Sequence, residues 1–350
     1  MTGGAGAARR RTVIWMAGAA LLAAGLGGLS FLPPAAPKTR VEVGSLVVPG
    51  LGDTAGEIGL VMVTTGEESY HLVKDPDGWV LPEKGRYPVR ADRLEALAQA
   101  LTAMRYARPM TRDARKFDRI GLGDPAAGGA GALLEVGNGK GDTFAKLLVG
   151  YRDGTTYVRE PDDLQAWAVD SDAMPPLQRG ARWLDLDVVS LAANDIREVE
   201  VKPAQGPGYR LLPADASGSR FVFAPPYDQR RVAASLAPTL VAGALVRFAP
   251  SDVMPAAGAG AALAGVHVTR TRAGLEIVAT AWRRGEQGWV SVAAHAAAGA
   301  APDVAAQAGA INARAGGWLF AMTETDWGAY ATPLTALVES AGAISSGPRR

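Results

Sequence analysis

The stretch SYHLVKDPDGWVLPEKGRYPVRADRLEALAQALTAMRYAR, residues 69–108, decides how the chain is read. Tyr70 and Leu72 fall on one side and His71 and Val73 on the other, the period-two alternation of a strand, and Asp75-Pro76-Asp77-Gly78 supplies turn residues. A second strand follows through Trp79 and Leu81. After Pro88 the apolar period changes. Leu94, Leu97, Leu101 and Met104 recur at spacings of three, four and three, which puts them on one face of a helix. Asp92 near its start and Arg105 and Arg108 near its end complement the helix dipole. The unit predicts strands followed by an amphipathic helix that buries one stripe against a sheet.

Two weaker echoes follow. The first has strand candidates at residues 196–201, 209–212 and 221–223, then a helix carrying Val232, Leu236 and Leu240, with Asp228 as its cap and a kink at Pro238. The second begins at Val266, runs through residues 275–282, repeats the Gly-Trp-Val triplet as Gly288-Trp289-Val290, and ends in a helix carrying Val304, Ala308, Ile311 and Ala315. Three copies of one unit suggest duplication. Around them, a first strand pair is expected at residues 41–48 and 58–64. Between Thr111 and Asp187 the hairpin signals Gly137-Asn138-Gly139 and Asp153-Gly154 predict an inserted antiparallel meander. Residues 255–265 read as linker, residues 318–322 as a strand, and a short terminal helix is expected with Thr332 as cap and Pro333 at its first position.

The chain has 350 residues, 48% hydrophobic and 20% charged, the profile of a globular protein of up to two domains. A formal net charge of +1 gives no reason to expect a nucleic acid partner. The absence of cysteine excludes disulfides, thiolate metal sites and cysteine nucleophiles. Arg9, Arg10 and Arg11 close a basic tip over residues 1–12, and residues 13–32 carry no charge. Twenty such residues can cross a bilayer, and the arginines would hold the amino terminus in the cytoplasm. The expectation is a single-pass inner-membrane protein with a periplasmic body; a cleavable signal peptide is the rival, disfavoured by Pro37. The organisation expected is a transmembrane anchor at 13–32, a Pro-rich linker at 33–40, a first α+β domain at 41–190 with the inserted meander, and a second at 191–341 with two further units. The fold class is thus α+β, one amino-terminal transmembrane helix followed by repeated antiparallel strand-strand-strand-helix units in two domains.

No constellation reads as catalytic. His71, His267 and His295 lie far apart, each in a strand candidate, and read as strand histidines on mixed surfaces rather than ligands. Gly137 to Thr143 lacks the Gly-Lys-Ser/Thr ending of a phosphate loop and reads as a hairpin turn. Gly258-Ala259-Gly260 follows Pro255 rather than a strand, which rules out a dinucleotide fingerprint. Asp170 with Asp172 and Asp185 with Asp187 read as caps rather than paired acids. No Gly-x-Ser-x-Gly signature occurs. Trp79, Trp167, Trp183, Trp282 and Trp289 could line a carbohydrate platform, although sheet-covering core is their commoner use. The densest basic run, Arg105, Arg108, Arg112, Arg115, Lys116 and Arg119, is a candidate partner surface whose bland reading is a solvated helix end and loop. No catalytic residue, cofactor or metal site is predicted.

In the order of Gly78-Trp79, Tyr87-Pro88-Val89, the leucine-spaced helix, Ile120-Gly121-Leu122, Asp124-Pro125, Val149-Gly150, Tyr157-Val158-Arg159, Val169-Asp170, Trp183-Leu184-Asp185 and Ile196, the chain resembles the bacterial domain-of-unknown-function 4340 family. The resemblance implies a membrane-tethered, non-enzymatic accessory or scaffold protein, associated with an ABC-type transporter of the gliding-motility kind or another envelope complex. The alternative is a periplasmic binding module for a glycan or peptide. The resemblance supplies no catalytic residues.

Overall fold

The computed structural model describes residues 41–339, and from Leu46 on these belong to one compact unit. Its first half contains strands β1 (Leu60–Thr64), β2 (Ser69–Asp75), β3 (Gly78–Leu81) and β4 (Tyr87–Pro88), helix α1 (Ala91–Ala103), then β5 (Arg105–Pro109), β6 (Ala132–Gly137), β7 (Thr143–Arg152), β8 (Thr155–Arg159) and β9 (Trp167–Asp170). These strands form one nine-stranded antiparallel sheet in the order β4-β3-β2-β1-β6-β7-β8-β9-β5. The second half contains β10 (Ile196–Pro203), β11 (Tyr209–Pro213), β12 (Phe221–Phe223), α2 (Ala237–Ala242), β13 (Asp252–Pro255), β14 (Ala262–Thr271), β15 (Leu275–Arg284), β16 (Gln287–Ala296), α3 (Pro302–Ala315), β17 (Trp318–Met322), α4 (Glu324–Ala331) and α5 (Leu334–Leu337). Its strands form an eight-stranded sheet, β12-β11-β10-β14-β15-β16-β17-β13.

This corrects the expected α+β class of repeated strand-strand-strand-helix units: two large antiparallel sheets dominate, with few helices. The meander at 111–187 is no insertion. Val61 pairs with Leu72 on one side and Val136 on the other, so β6 continues the sheet that β1 and β2 begin. A buried central strand needs hydrogen-bond partners on both edges, and the meander supplies the second. Residues 41–48 do not fill that place. They form no strand, and Leu46 makes only an isolated bridge to Arg105. The second and third units likewise merge, because β10 pairs directly with β14. Strand β14 begins at Ala262, inside the stretch expected to be linker.

The second predicted helix shrinks to the six residues of α2. Pro238 lacks an N–H and its ring clashes with the carbonyl four residues upstream, so a helix can begin at this proline but not run through it. Val232 instead bridges to Val338, and Leu236 and Leu240 are exposed. Asp228 caps nothing and accepts from Gln229. At the other end Pro333 is the N-cap of α5, while the Thr332 hydroxyl donates back to the Gly328 carbonyl at the end of α4, a helix the sequence reading lacks. The expected transmembrane segment, 13–32, lies outside the described residues, as do the basic tip and the linker. Among the described residues no helix is long and apolar enough to cross a membrane, so the single-pass inner-membrane placement is not retained.

Where the patterns are strong they are followed. Tyr70 and Leu72 are buried on one face of β2; α1 buries Leu97, Ala100 and Leu101; α3 buries Val304, Ala308, Ile311 and Ala315. Asn312 of α3 clamps this helix to β16, accepting from the Ala294 N–H at 2.8 Å and donating to its carbonyl at 2.7 Å. The two sheets meet at β4. The Tyr87 ring stands edge-on to Trp318 and Phe320, at 4.9 and 6.1 Å between centroids, and Lys84 pairs with Asp252 at 2.6 Å. Asp185 and Arg314 close the same junction at 2.6 Å.

Candidate functional site

Beside this junction a groove of about 760 Å³ opens between the two sheets, within the range of ligand-binding clefts. One wall begins with Tyr70. Its hydroxyl donates to the Leu177 carbonyl and accepts from Trp183 Nε1, both at 2.8 Å. Burial, partly offset by the Trp183 hydrogen bond, pushes the Tyr70 hydroxyl above its ordinary range, so it stays protonated as this pattern requires. The pair fixes a 3₁₀ turn over Gly180–Trp183. Gly180 packs on the Tyr70 ring so closely that a Cβ there would come within 3.0 Å of Cγ. The following residues lie along the edge of β4: Leu184 bridges to Val89, the Asp185 N–H donates to Pro88, and the Arg90 N–H donates to Trp183.

That arrangement carries Arg179 and Arg182 to the groove, where Arg90 and Arg93 meet them from the start of α1. Arg93 donates to the Arg182 carbonyl. Arg90 is held by Asp92 at 2.8 Å and Asp187 at 3.3 Å, and the Asp92 hydrogen bond raises it above the ordinary guanidinium range. Arg179 meets Glu67 at 3.3 Å, and Glu68 accepts from the Gly180 N–H. Arg182 has no hydrogen-bond or ion-pair partner for its guanidinium among the described residues. The opposite wall comes from the second sheet: Phe248 to Asp252, Gln287, Trp289 and Ala321. Ser251 is anchored by its N–H to the Ala321 carbonyl, and Gln287 spans the Gly288 and Met322 carbonyls. Trp289 is 9% exposed, and its Nε1–H is buried without a partner. Guanidinium forks facing amide and hydroxyl groups can hold a planar anion or an extended polar segment.

The residues singled out from sequence fall elsewhere. None of Arg105, Arg108, Arg112, Arg115, Lys116 and Arg119 lines the groove; all six are exposed, the first two on the edge strand β5 and the last three in a 3₁₀ turn over Ala114–Ile120. Asp113 takes Arg115 at 3.0 Å and Lys116 at 4.0 Å. His71 pairs with Glu83 and His295 is exposed, but His267 is fully buried, against the expectation of a mixed surface. Asp185 and Asp187 are partners of Arg314 and Arg90 rather than caps. The tryptophans form no platform: Trp183 is 1% exposed, Trp167 packs on Tyr106, and Trp282 donates to Ser291. Residues 137–143 form the β6–β7 hairpin, with Asn138 Oδ1 accepting from the Lys140 and Asp142 N–H groups. No group of three or more metal-ligating side chains converges among the described residues.

A family model described as "Domain of unknown function (DUF4340)" matches residues 79–254, half of the chain. The chain belongs to this family. No curated protein and no solved structure matches it. The DUF4340 match assigns no enzymatic activity. It runs from β3 to β13, and so takes in Lys84, Arg90, Arg93, Arg179, Arg182 and Asp252 but not Glu67, Gln287 or Trp289.

The sequence reading did not single out the groove arginines. Arg179 is the extended residue before the 3₁₀ turn and Arg182 lies within it, so no helical spacing pairs them. Nothing in the sequence says that they face the start of α1.

Proposed function

We propose that this DUF4340-family chain is a non-enzymatic accessory protein that holds an extended segment of a partner in the groove between its two sheets. One observation carries the reading: polar and cationic side chains from α1, the 3₁₀ turn and the second sheet converge on a cleft of about 760 Å³, at a boundary between layers where ligand sites are commonly found. The ties that flank it, Lys84 to Asp252 and Asp185 to Arg314, set the distance between its walls. The family resemblance alone points to the partner's class, a component of an ABC-type transporter or another protein complex. A peptide suits the cleft better than a glycan, because Trp289 is its one tryptophan and offers no open ring face.

The test uses three fluorescent peptides of equal length, glutamate-rich, serine-rich and lysine-rich, with the intact protein and with Ala181→Trp. Ala181 lines the groove, and an indole there would occupy it. Binding of at least one peptide is expected, with loss of that binding in A181W at an unchanged urea midpoint. If no peptide binds, or if A181W leaves binding as it was, the reading fails.

A further inference from the structure

We infer that the segment held in the groove is acidic, and that Arg93 and Arg182 take its carboxylates; this rests on the groove reading above. The cations of the groove are unequally committed. Lys84 is held by Asp252 at 2.6 Å, and Arg90 is shared by Asp92 and Asp187. On the arginines' own wall the acids are largely spent: Glu67 meets Arg179 at 3.3 Å, and Glu68 accepts the Gly180 N–H. Arg93 uses one nitrogen on the Arg182 carbonyl, and the Arg182 guanidinium has no partner among the described residues. Each guanidinium presents five N–H donors in a fixed plane and no acceptor. The donor capacity left in the groove is therefore cationic and planar, and its natural complement is a carboxylate with two parallel oxygens.

Arg93 and Arg182 reach the same groove from segments remote in sequence, and the Arg93 guanidinium donates to the Arg182 carbonyl. Two cations lining one groove favour an anionic occupant over a neutral or cationic one.

The experiment extends the three-peptide titration to Arg182→Glu, Arg182→Gln and Arg93→Gln, at low and high salt, with inorganic phosphate and succinate as competitors. The expected result is preference for the glutamate-rich peptide, weakening of about tenfold in R182E and less in R182Q, the scale of one charge-assisted contact. Affinity should fall with salt, and succinate should compete better than phosphate. If the serine-rich or lysine-rich peptide binds as well or better while A181W still blocks it, the groove stands and the acidic occupant falls. Phosphate competing better than succinate would also overturn the carboxylate assignment. Loss of urea midpoint in R182E would be separated from loss of contact by R182Q, which removes the charge without introducing a repulsive one.

Discussion

His267 makes the stability of the second sheet depend on pH in a calculable way. It sits in β14 with no exposed surface, its Nε2 is 3.0 Å from the Val241 carbonyl, its Nδ1 is 3.5 Å from the Thr269 hydroxyl, and the Tyr330 ring stands edge-on at 5.5 Å. A carbonyl only accepts, so Nε2 carries the hydrogen and the neutral ring is the native form. Burial lowers the pKa from 6.5 to about 4, against the two backbone hydrogen bonds that act the other way. Between those values the unfolded chain binds a proton that the native chain refuses. The contribution is therefore fully present above pH 6.5 and is lost as the pH falls towards 4. At about 1.4 kcal/mol per pH unit the loss amounts to roughly 3 kcal/mol, a large share of an ordinary folding stability. His267→Phe keeps a ring beside Tyr330 but removes the hydrogen bond to the Val241 carbonyl, which retains the Ala244 N–H at 3.1 Å, at a cost of about 0.5–1.5 kcal/mol at every pH. Urea unfolding of both proteins from pH 7 to pH 4 isolates the histidine, because the carboxylates titrate in both and cancel in the difference. The variant should be the weaker at pH 7 and should draw level with or overtake the parent near pH 4. A stability difference that stays constant over that range would refute the buried neutral imidazole.

Arg159, 7% exposed, donates through Nη1 to the carbonyls of Glu160, Pro161 and Asp163 and lies 4.7 Å over the Phe117 ring. Arg159→Ala removes these charge-assisted hydrogen bonds and the packing on Phe117 and should lower stability by about 1.5–3 kcal/mol in urea titration; a loss below about 0.5 kcal/mol would show that the loop does not depend on it. Gly150→Ala places a Cβ 2.4 Å from the Gly121 carbonyl oxygen, a backbone atom that cannot step aside, and should cost about 1–3 kcal/mol by the same assay. Tyr87→Ala removes the ring that meets Trp318 and Phe320 and the hydroxyl that reaches the Asp185 carbonyl at 3.1 Å. Beyond a loss of about 3–5 kcal/mol, calorimetry should show one unfolding transition separating into two as the sheets lose their main contact; a single transition merely shifted downward would place the coupling elsewhere.

Elements whose burial follows a simple period were legible. The change from period two to period 3.6 across residues 69–108 places β2, β3 and α1, and Val304, Ala308, Ile311 and Ala315 mark the stripe that α3 buries. Strand partners beyond the next hairpin were not legible. Val136 carries no mark that sends it to Val61, and neither Val199 nor Thr269 announces that β10 and β14 lie side by side. Reading each strand run as a self-contained unit therefore multiplied units and helices where the chain builds continuous sheets. Pro238 shows the same limit at short range. Its apolar neighbours fit a helical stripe, and the steric cost of a proline inside a helix overrides them.

The groove was hidden for a further reason, which bears on how its role is read. Arg90, Arg93, Arg179 and Arg182 each stand at the edge of an element where a solvated cation is the ordinary reading, and no spacing joins the first two to the last two. What joins them is a buried set of hydrogen bonds: the Tyr70 hydroxyl, held between Trp183 Nε1 and the Leu177 carbonyl, sets the 3₁₀ turn against β2, and the backbone bonds from the Arg90 N–H to Trp183 and from the Asp185 N–H to Pro88 fix it to the entry of α1. The cationic wall thus depends on a core hydrogen bond. Tyr70→Phe keeps the ring under Gly180 but removes both hydrogen bonds, so it should weaken peptide binding in the groove while Arg93 and Arg182 remain unchanged in the sequence. An affinity untouched by Y70F, in a protein shown by urea titration to be less stable, would mean that the arginines find their places without the turn, and the structural basis offered for the site would be wrong.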